Sequence, residues 1–213
     1  MPTSVTTAGR TLHRARLYDL GTRLFGRRIR SLHRGLIELA RIQPGERVLD
    51  VGCGPGRLTL EAAHVVGPTG DILGIDASAE MIDLATRKAK QAGSSAAFRV
   101  AAIEAIPSPD DQYDVVLASL MIHHLPPELQ RRGLAEVLRV LRPGGRFVAA
   151  DFRAMPGHGA GHVLSVLGLR RGSEHAEHLR SLAATAGFGA IRIEPGPSRA
   201  FCLLHAEKPP APG

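Results

Sequence analysis

The chain has 213 residues, 44% of them hydrophobic, and this length and composition predict one sizeable hydrophobic core. Its formal net charge is +7. Residues 1–47 contain ten arginines and three acidic residues, so all of the excess positive charge lies before residue 48. With no Trp, two Tyr and six Phe, the chain lacks the interleaved aromatic side chains on which extruded bases stack, which argues against a nucleic acid as the substrate.

The first 43 residues combine basic and apolar residues at near-helical intervals. Arginines are interspersed there with leucines and isoleucines from Leu12 to Leu39. Such a basic amphipathic pattern is typical of a segment that contacts an anionic lipid surface, a nucleic acid or an acidic substrate. A solvated helix face in an arginine-rich protein gives the same pattern, and Gly21, Gly26 and Gly35 are expected to break the helix into pieces.

A glycine-rich turn after a buried strand is the most informative feature of the chain. The largely apolar run Arg47–Val51, which contains Asp50, predicts a parallel strand. The turn Gly52-Cys53-Gly54-Pro55-Gly56 then lets the backbone approach a ligand closely before a helix predicted over Arg57–Val66. The dinucleotide fingerprint requires a glycine where Arg57 stands, and Asp50 would repel a pyrophosphate but attract a cation.

A second acidic residue, Asp76, ends the next apolar run, residues 72–75. A carboxylate at the end of this second strand is placed to accept hydrogen bonds from ribose hydroxyls. Capping of the following helix is the alternative role, but Ser78 already supplies that cap. Together with the glycine turn, Asp76 predicts a nucleoside-binding pocket.

Strands and helices alternate along the rest of the chain. Further helices are predicted over 78–92, 127–141 and 173–186. Further strands are predicted over Ala97–Val100, Tyr113–Ser119, 146–151, 191–194 and 200–207. This alternation indicates an α/β fold with a mostly parallel sheet and right-handed crossovers.

Four stretches in order resemble the class I S-adenosylmethionine-dependent methyltransferases. They are VLDVGCGPGRLT (48–59), GIDAS (74–78), YDVVLASLMIHHL (113–125) and LRVLRPGGRFVAAD (138–151). The chain is most similar to the small-molecule branch of ubiquinone and menaquinone biosynthesis C-methyltransferases, with a methyltransferase type 11 domain. The resemblance implies a Rossmann-like, seven-stranded sheet with helices on both faces and an antiparallel C-terminal hairpin at its edge. It also implies a basic helical lid over 1–43, a donor-binding domain over 44–208 and a disordered tail over 209–213.

The same resemblance assigns S-adenosylmethionine to particular residues. Asp50 and the turn (Gly52, Cys53, Gly54 and Gly56) would hold the methionine end, whose ammonium and sulfonium are both positive. Asp76 would bind the ribose, Ala77 would pack on the adenine, Ile103 would donate its backbone amide to the ring, and Ser119 would complete the site. Ala102 stands where the family commonly has an acid, and one lost hydrogen bond to adenine costs roughly 0.5–1.5 kcal/mol.

The acceptor side is expected where the fourth strand ends, at His123 and His124. A histidine there could act as a general base, and His123 is the candidate, with His124 facing the substrate. The alternative is that one histidine packs under the donor and the other caps the next helix. Tyr18, in the segment that resembles the family's lid, either contacts the donor carboxylate or the acceptor, or is an ordinary core residue.

The other histidines and the two cysteines predict neither a metal site nor a disulfide. His158 and His162 lie in a glycine-rich segment, while His175 and His178 alternate with glutamates and are expected on a solvated helix face. Two cysteines, 53 and 202, indicate a reducing compartment and are too few for the arsenite-methylating branch. No signal peptide or membrane-spanning run is evident, so a cytoplasmic location is expected.

The sequence therefore predicts an enzyme that transfers a methyl group from S-adenosylmethionine to a small, apolar acceptor at carbon, oxygen or nitrogen. The apolar run 163–169 would line the acceptor pocket. One alternative is a non-catalytic nucleoside-binding module that docks to a membrane or partner through the basic N-terminal helix. A nicotinamide-dependent oxidoreductase is disfavoured by Asp50 and by the missing fingerprint glycine. The oligomeric state stays open.

Overall fold

A computed structural model of the chain describes residues 26–153 and 173–211. Within them the strands are β1 (Arg47–Val51), β2 (Asp71–Asp76), β3 (Ala97–Val100), β4 (Tyr113–Ser119), β5 (Leu141–Phe152), β6 (Gly189–Pro195) and β7 (Phe201–Glu207). The helices are α1 (Gly26–Ala40), α2 (Arg57–Val66), α3 (Ala79–Ala92), α4 (Pro127–Val140) and α5 (Glu174–Ala186). Short 3-10 turns occur at Ile103–Ala105 and Ile122–His124.

The strands form one sheet in the order β3-β2-β1-β4-β5-β7-β6. β1 pairs in parallel with both β2 and β4, and β4 pairs in parallel with β5. β7 runs antiparallel to β5 and β6, which confirms the antiparallel edge hairpin. The chain reverses the direction of strand addition between β1 and β4, so the crevice at the carboxyl ends of these two strands is where ligands bind in open α/β sheets.

Two hydrophobic clusters cover the two faces of the sheet. On one face α1 and α2 pack on residues such as Val48, Val115 and Val148. On the other face α4 and α5 pack on residues such as Leu49 and Phe147. Adjacent residues of β1 thus belong to opposite clusters, which explains why its sequence is apolar without alternation.

Two element boundaries differ from the sequence prediction. β5 begins at Leu141 and not at residue 146, because Leu141 already pairs with Tyr113 before an irregularity in the register with β4. α1 continues through Gly35, so the expected break there is wrong. Gly35 is a packing position, since a Cβ atom there would lie 3.7 Å from the side chain of Leu203.

The ends of α3 agree with the sequence prediction. Ser78 caps its N-terminus, its Oγ accepting a hydrogen bond from the backbone N of Met81 at 3.4 Å. Gly93 ends the helix in the left-handed conformation, with φ 62°. Because Ser78 caps α3, Asp76 is available for another role.

Candidate functional site

Asp50 is the last polar residue of β1, and it is fully buried. Asp50 is 1% exposed, and its Oδ2 accepts a hydrogen bond of 2.6 Å from the hydroxyl of Thr59. Burial raises the pKa of Asp50 to about 7; the Thr59 hydrogen bond opposes this rise and the charge of Asp76 adds to it. A group that titrates near neutrality in a buried position favours a cation as its partner.

The glycine turn between β1 and α2 uses its glycines for two different purposes. Gly52, Gly54 and Gly56 have φ values of 65°, 52° and 77°, a region that side chains rarely adopt. A Cβ atom at Gly54 would point into open space, whereas one at Gly52 would lie 2.8 Å from the side chain of Met121. At Gly56 it would lie 2.9 Å from Phe98, so this glycine is required by the packing of the start of α2.

Asp76 connects the glycine turn to the start of α3. Its Oδ2 accepts a hydrogen bond from the backbone N of Gly54, and its Oδ1 accepts one from the backbone N of Ser78, both at 2.9 Å. Burial raises the pKa of Asp76, while these two hydrogen bonds lower it. The carboxylates that end β1 and β2 therefore lie on either side of one turn.

A cavity opens at this edge of the sheet, between the turn, α1 and the end of β4. Two of its polar lining atoms, Ser119 Oγ and His33 Nδ1, are buried and have no hydrogen-bond partner among the described residues. His33 Nδ1 lies 3.5 Å from Glu61 Oε2. The full lining is Ile29, His33, Asp50, Gly52, Cys53, Gly54, Pro55, Arg57, Leu58, Ser119 and Leu120.

A second, more open cavity lies at the end of β3, beyond Asp76. It is lined by Arg99, Val100, Ala101, Ala102, Ala105 and Pro107. Ile103 is buried beside it and packs on α4, where a Cβ atom on Gly133 would lie 3.1 Å from its side chain. Ala77 is half-buried next to Asp76. These positions fall where the adenine was expected, and Ala102 leaves that cavity without an acidic side chain.

His123 is held against a buried aspartate at the end of β5. Its Nδ1 lies 2.6 Å from Oδ1 of Asp151, and its backbone N donates to Oδ2 at 3.1 Å. Burial alone raises the pKa of Asp151, but the nearby charges of His123 and His175 and the hydrogen bond with His123 outweigh it and hold the pKa well below its usual range. Asp151 is therefore a carboxylate, so Nδ1 of His123 donates the hydrogen bond and, in the neutral ring, Nε2 carries the free lone pair.

The expectation that His175 lies on a solvated face is wrong. It is 1% exposed, and its Nε2 lies 3.5 Å from Oδ2 of Asp151, which is an ion-pair distance and longer than a good hydrogen bond. The face of α5 that carries His175 packs on the sheet, where Ala176 and Leu179 are also buried. His178 does lie at the surface, where its Nε2 lies 2.7 Å from Oε1 of Gln130.

All the buried side-chain polar atoms that lack a hydrogen-bond partner, within the described part of the chain, belong to four residues near the carboxyl ends of the strands. They are His33 Nδ1, Ser119 Oγ, His123 Nε2 and both ring nitrogens of His175. Buried polar atoms are normally satisfied, so a cluster of unsatisfied ones indicates where a ligand would supply partners. The ring of the predicted substrate residue His124 lies against that of His123, with centroids 3.9 Å apart and ring planes tilted by 43°. Tyr18 lies outside the described residues.

Comparison with known proteins agrees with this arrangement. A family model described as "Methyltransferase domain" matches residues 48–145. A ubiquinone/menaquinone biosynthesis C-methyltransferase UbiE of Geobacter sulfurreducens is 40% identical over 140 residues, which are 63% of this chain and 53% of that protein. An arsenite methyltransferase of Halobacterium salinarum is 35% identical over 160 residues, which are 73% of this chain and 40% of that protein. Residues 48–145 thus match a methyltransferase domain, and the chain is similar to methyltransferases of small molecules over that region.

Solved structures show the same fold around this methyltransferase domain. A SAM-dependent methyltransferase from Aquifex aeolicus superimposes with a TM-score of 0.72 at 21% identity, over 92% of this chain and 99% of that one. The chain spans about half the length of the curated relatives it matches. The Aquifex protein is described as dependent on S-adenosylmethionine. Among the described residues of this chain, no helix is long and apolar enough to cross a membrane.

Several site residues of the methyltransferase domain were not predicted from the sequence. Thr59 sits in the first turn of α2, one helical turn after the glycines, and this position alone could have suggested a contact with Asp50. Asp151 ends an apolar strand just as Asp50 and Asp76 end theirs, so the same signal was present there. The inward position of His33 follows from its place beside Leu32 on the buried face of α1, but its neighbours in the cavity come from distant parts of the chain.

Proposed function

We propose that the chain transfers the methyl group of S-adenosylmethionine to a small, apolar acceptor. The observation that carries this proposal is the pair of carboxylates, Asp50 and Asp76, on either side of a turn that is open at Gly54. When bound, S-adenosylmethionine supplies a methyl group on a positively charged sulfur, ready for displacement by a nucleophile. Its ammonium and sulfonium fit a cavity whose deepest ionisable group is Asp50, and its ribose hydroxyls fit the carboxylate of Asp76.

The turn and the end of β4 complete the proposed donor site. Gly52 and Gly54 hold the backbone close to the ligand, and Cys53 lines the same cavity. Ser119 Oγ, which is buried without a partner among the described residues, gains one from the bound donor. Ala77 and the amide of Ile103 flank the adenine, and Gly56 supports the turn through its packing on Phe98.

His123 is proposed as the general base, and His124 and Tyr18 as residues that contact the acceptor. Support for His123 comes from Asp151, which fixes Nδ1 and leaves Nε2 as the basic nitrogen. The non-catalytic module finds no support among the relatives described above, which are methyltransferases. A contact of the basic N-terminal region with a membrane surface stays a prediction, as does the absence of a nucleic-acid substrate or a metal.

An arsenite acceptor is disfavoured by both cysteines. Soft metalloid ions bind to thiolates. Burial, followed by the charges of Asp50 and Asp76, raises the pKa of the Cys53 thiol well above its usual value, and burial, followed by the charge of Asp151, raises the pKa of Cys202 to about 12. Both thiols therefore stay protonated at neutral pH, so the likeness to the arsenite enzyme concerns the donor-binding region.

Transfer of a labelled methyl group tests the proposal. The purified chain is incubated with methyl-labelled S-adenosylmethionine and a protein-free metabolite extract of the source organism, and the extract is analysed by mass spectrometry. We expect one or a few small molecules to gain a labelled methyl group. Asp76→Ala should lower the rate at subsaturating donor by about tenfold or more, because hydrogen bonds to a charged group are lost.

Asp71→Ala is the matched control, because Asp71 lies at the other end of the same strand and is exposed. Its rate should equal that of the wild-type chain. The proposal is contradicted if no molecule in the extract gains label, or if the two variants transfer label equally well.

A further inference from the structure

We propose that Ala102 makes the donor site tolerant at the 6-amino group of the purine, so that donors that lack this group or carry alkyl groups on it are also accepted. The inference rests on the proposed function and specifies the class of donors that the same site takes. It starts from the cavity at the end of β3, whose lining residues are Arg99, Val100, Ala101, Ala102, Ala105 and Pro107. None of these residues has a side chain that can accept a hydrogen bond.

The position of Asp76 indicates that the purine of the donor lies in this cavity. Asp76 is paired with Val100 in the parallel ladder of β2 and β3, and its carbonyl oxygen accepts a hydrogen bond of 3.0 Å from the backbone N of Ala101. Residues 101 and 102 therefore leave the sheet directly beside the carboxylate that is proposed to bind the ribose. Ligands of open α/β sheets lie at the carboxyl ends of the strands, so a base attached to that ribose lies next to these two residues.

Ala102 contributes an apolar wall to the cavity. It is buried, and its backbone is extended just before the 3-10 turn Ile103–Ala105. Its carbonyl oxygen already accepts a hydrogen bond of 3.1 Å from the backbone N of Ala105. Its side chain is a methyl group, which can pack against a purine but cannot accept a hydrogen bond. The amino group of a base beside Ala102 therefore finds no partner in the side chain of this residue.

Arg99 is the one charged side chain among the described residues that line this cavity, and it cannot bind an amino group. A guanidinium donates hydrogen bonds and accepts none. Its Nη1 donates to the carbonyl oxygen of Pro107 at 3.3 Å, so this acceptor at the rim is also engaged. Glu104, the acidic residue nearest to Ala102 in sequence, does not line the cavity. The described part of the wall thus offers the base no carboxylate.

The rim of the cavity is fixed by two side chains of α4. Glu136 Oε2 accepts a hydrogen bond of 3.0 Å from the backbone N of Ile106. Arg139 donates to the carbonyl oxygens of Ile106 and Ser108, at 3.0 and 2.9 Å, and its Nε donates to Glu136 at 2.8 Å. The segment after the 3-10 turn is therefore held away from the cavity, which has a volume of about 370 Å³. An alkyl group on the amino nitrogen of a bound purine has room there.

Selectivity for a polar group depends on a partner in the protein that is left unpaired when the group is missing. A site that hydrogen-bonds a polar group rejects an analogue without that group strongly, because its own buried partner then loses a hydrogen bond. A wall of methyl and methylene groups has no such partner to lose. The amide of Ile103 is proposed to contact a ring nitrogen, which analogues altered only at the amino group retain. We therefore expect the ring and the ribose, and not the amino group, to determine donor affinity.

Calorimetric titration of three related ligands tests the inference without an acceptor. The full chain is titrated with S-adenosylhomocysteine, with its analogue that has hydrogen in place of the 6-amino group, and with its analogue that has a dimethylamino group there. All three retain the same ring nitrogens, and the two analogues donate no hydrogen bond from position 6. We expect the three dissociation constants to agree within about threefold, which is less than a typical hydrogen bond contributes. A dissociation constant more than about threefold higher for either analogue overturns the proposal.

Ala102→Asp should create the selectivity that the wild-type chain lacks. A carboxylate at this position can accept a hydrogen bond from the amino group, and hydrogen bonds to charged groups are stronger than neutral ones. We expect this variant to bind S-adenosylhomocysteine about tenfold or more tightly than either analogue. Ala97→Asp is the matched control, because it makes the same change at an exposed alanine at the start of β3 and should bind all three ligands equally well. Equal binding of the three ligands by Ala102→Asp would overturn the role of Ala102.

Methyl transfer from a modified donor extends the test to the reaction. The wild-type chain is supplied with the molecule that gains label from the extract, and with S-adenosylmethionine or its analogue that has a dimethylamino group at position 6. The two donors should have kcat/KM values within about threefold of each other, because neither loses a hydrogen bond to the protein. A larger fall in kcat/KM for the analogue contradicts the proposed tolerance.

The outcomes separate this inference from the proposed function. If the folded wild-type chain binds S-adenosylhomocysteine but binds the analogues weakly, the tolerance at the amino group fails and the donor site stands. If it binds none of the three ligands, both fail together. Should Ala102→Asp not fold, the three affinities of the wild-type chain still decide the inference.

Discussion

Asp50 lowers the folding stability of the chain when it is ionised, and the same ionised form is proposed to bind the donor. The sequence predicted its role, because an acid just before the glycine turn would repel a pyrophosphate and attract a cationic ligand. Its hydrogen bond to Thr59 and its shifted pKa could not be predicted, since they depend on how closely α2 packs on β1. The same limit explains His175: its glutamate neighbours indicated solvent, but the packing of α5 buries it.

Donor affinity should depend on pH through Asp50. Its pKa is about 7, so the carboxylate is largely protonated at pH 5.5 and half ionised at pH 7. Because the ionised form attracts the ammonium and sulfonium of the donor, we expect the affinity for S-adenosylmethionine to rise by at least about tenfold between these pH values. Calorimetric or fluorescence titrations across this range, which lies below the titration of the donor's amino group, measure the effect.

Asp50→Asn is the control for this pH dependence and also separates binding from folding. Its donor affinity should be weak and nearly independent of pH. Since burial raises the pKa of Asp50 from 3.8 to about 7, the folded state loses stability as pH rises between these two values, and the variant should melt at a higher temperature than the wild-type chain at pH 8. The difference should narrow towards pH 5. A wild-type affinity that does not change with pH would rule out this role.

At the scale of elements, the order and type of most helices and strands followed from hydrophobic pattern and turn residues. The exceptions have local causes that only the folded chain reveals. The early start of β5 depends on pairing of Leu141 with Tyr113, and the passage of α1 through Gly35 depends on its contact with Leu203. Contacts between elements that are distant in sequence were also beyond prediction, above all the attachment of α1 by Arg146.

Arg146 attaches the end of α1 to β5 and should stabilise both the fold and the donor cavity. Its guanidinium donates to the carbonyl oxygens of Ala40 and Arg41 and to both carboxylate oxygens of Glu46, at 2.7 and 2.9 Å for the latter. Arg146→Met keeps the aliphatic stem but leaves these acceptors unpaired, which should cost about 1–3 kcal/mol. Because α1 carries His33 and Ile29 into the cavity, donor affinity should also fall.

Thermal melting and amide hydrogen exchange of α1 measure this effect. Arg142→Met is the matched control. Arg142 lies on β5, as Arg146 does, and forms an ion pair with Asp114 of β4, but its side chain is 52% exposed. Exposed ion pairs contribute little, so its melting temperature should stay near that of the wild-type chain. Equal melting temperatures for the two variants would show that Arg146 does not secure α1.

At the scale of the whole molecule, charge and binding chemistry are separated. The carboxyl edge of the sheet collects the buried carboxylates Asp50 and Asp151 and the half-buried Asp76, whereas the positive excess lies before residue 48. α1 joins the two regions, since its buried face lines the cavity and its exposed face carries Arg27, Arg30 and Arg34. The sequence predicted both features separately but could not show that one helix contributes to both.

Calorimetric titration of S-adenosylhomocysteine into ligand-free protein tests the donor site most directly. We predict saturable binding at one site per chain, competition by S-adenosylmethionine, and at least about tenfold weaker binding by Asp76→Ala. Absence of a binding signal with both compounds, from protein shown to be folded, would contradict the assignment of this edge of the sheet to a methyl donor.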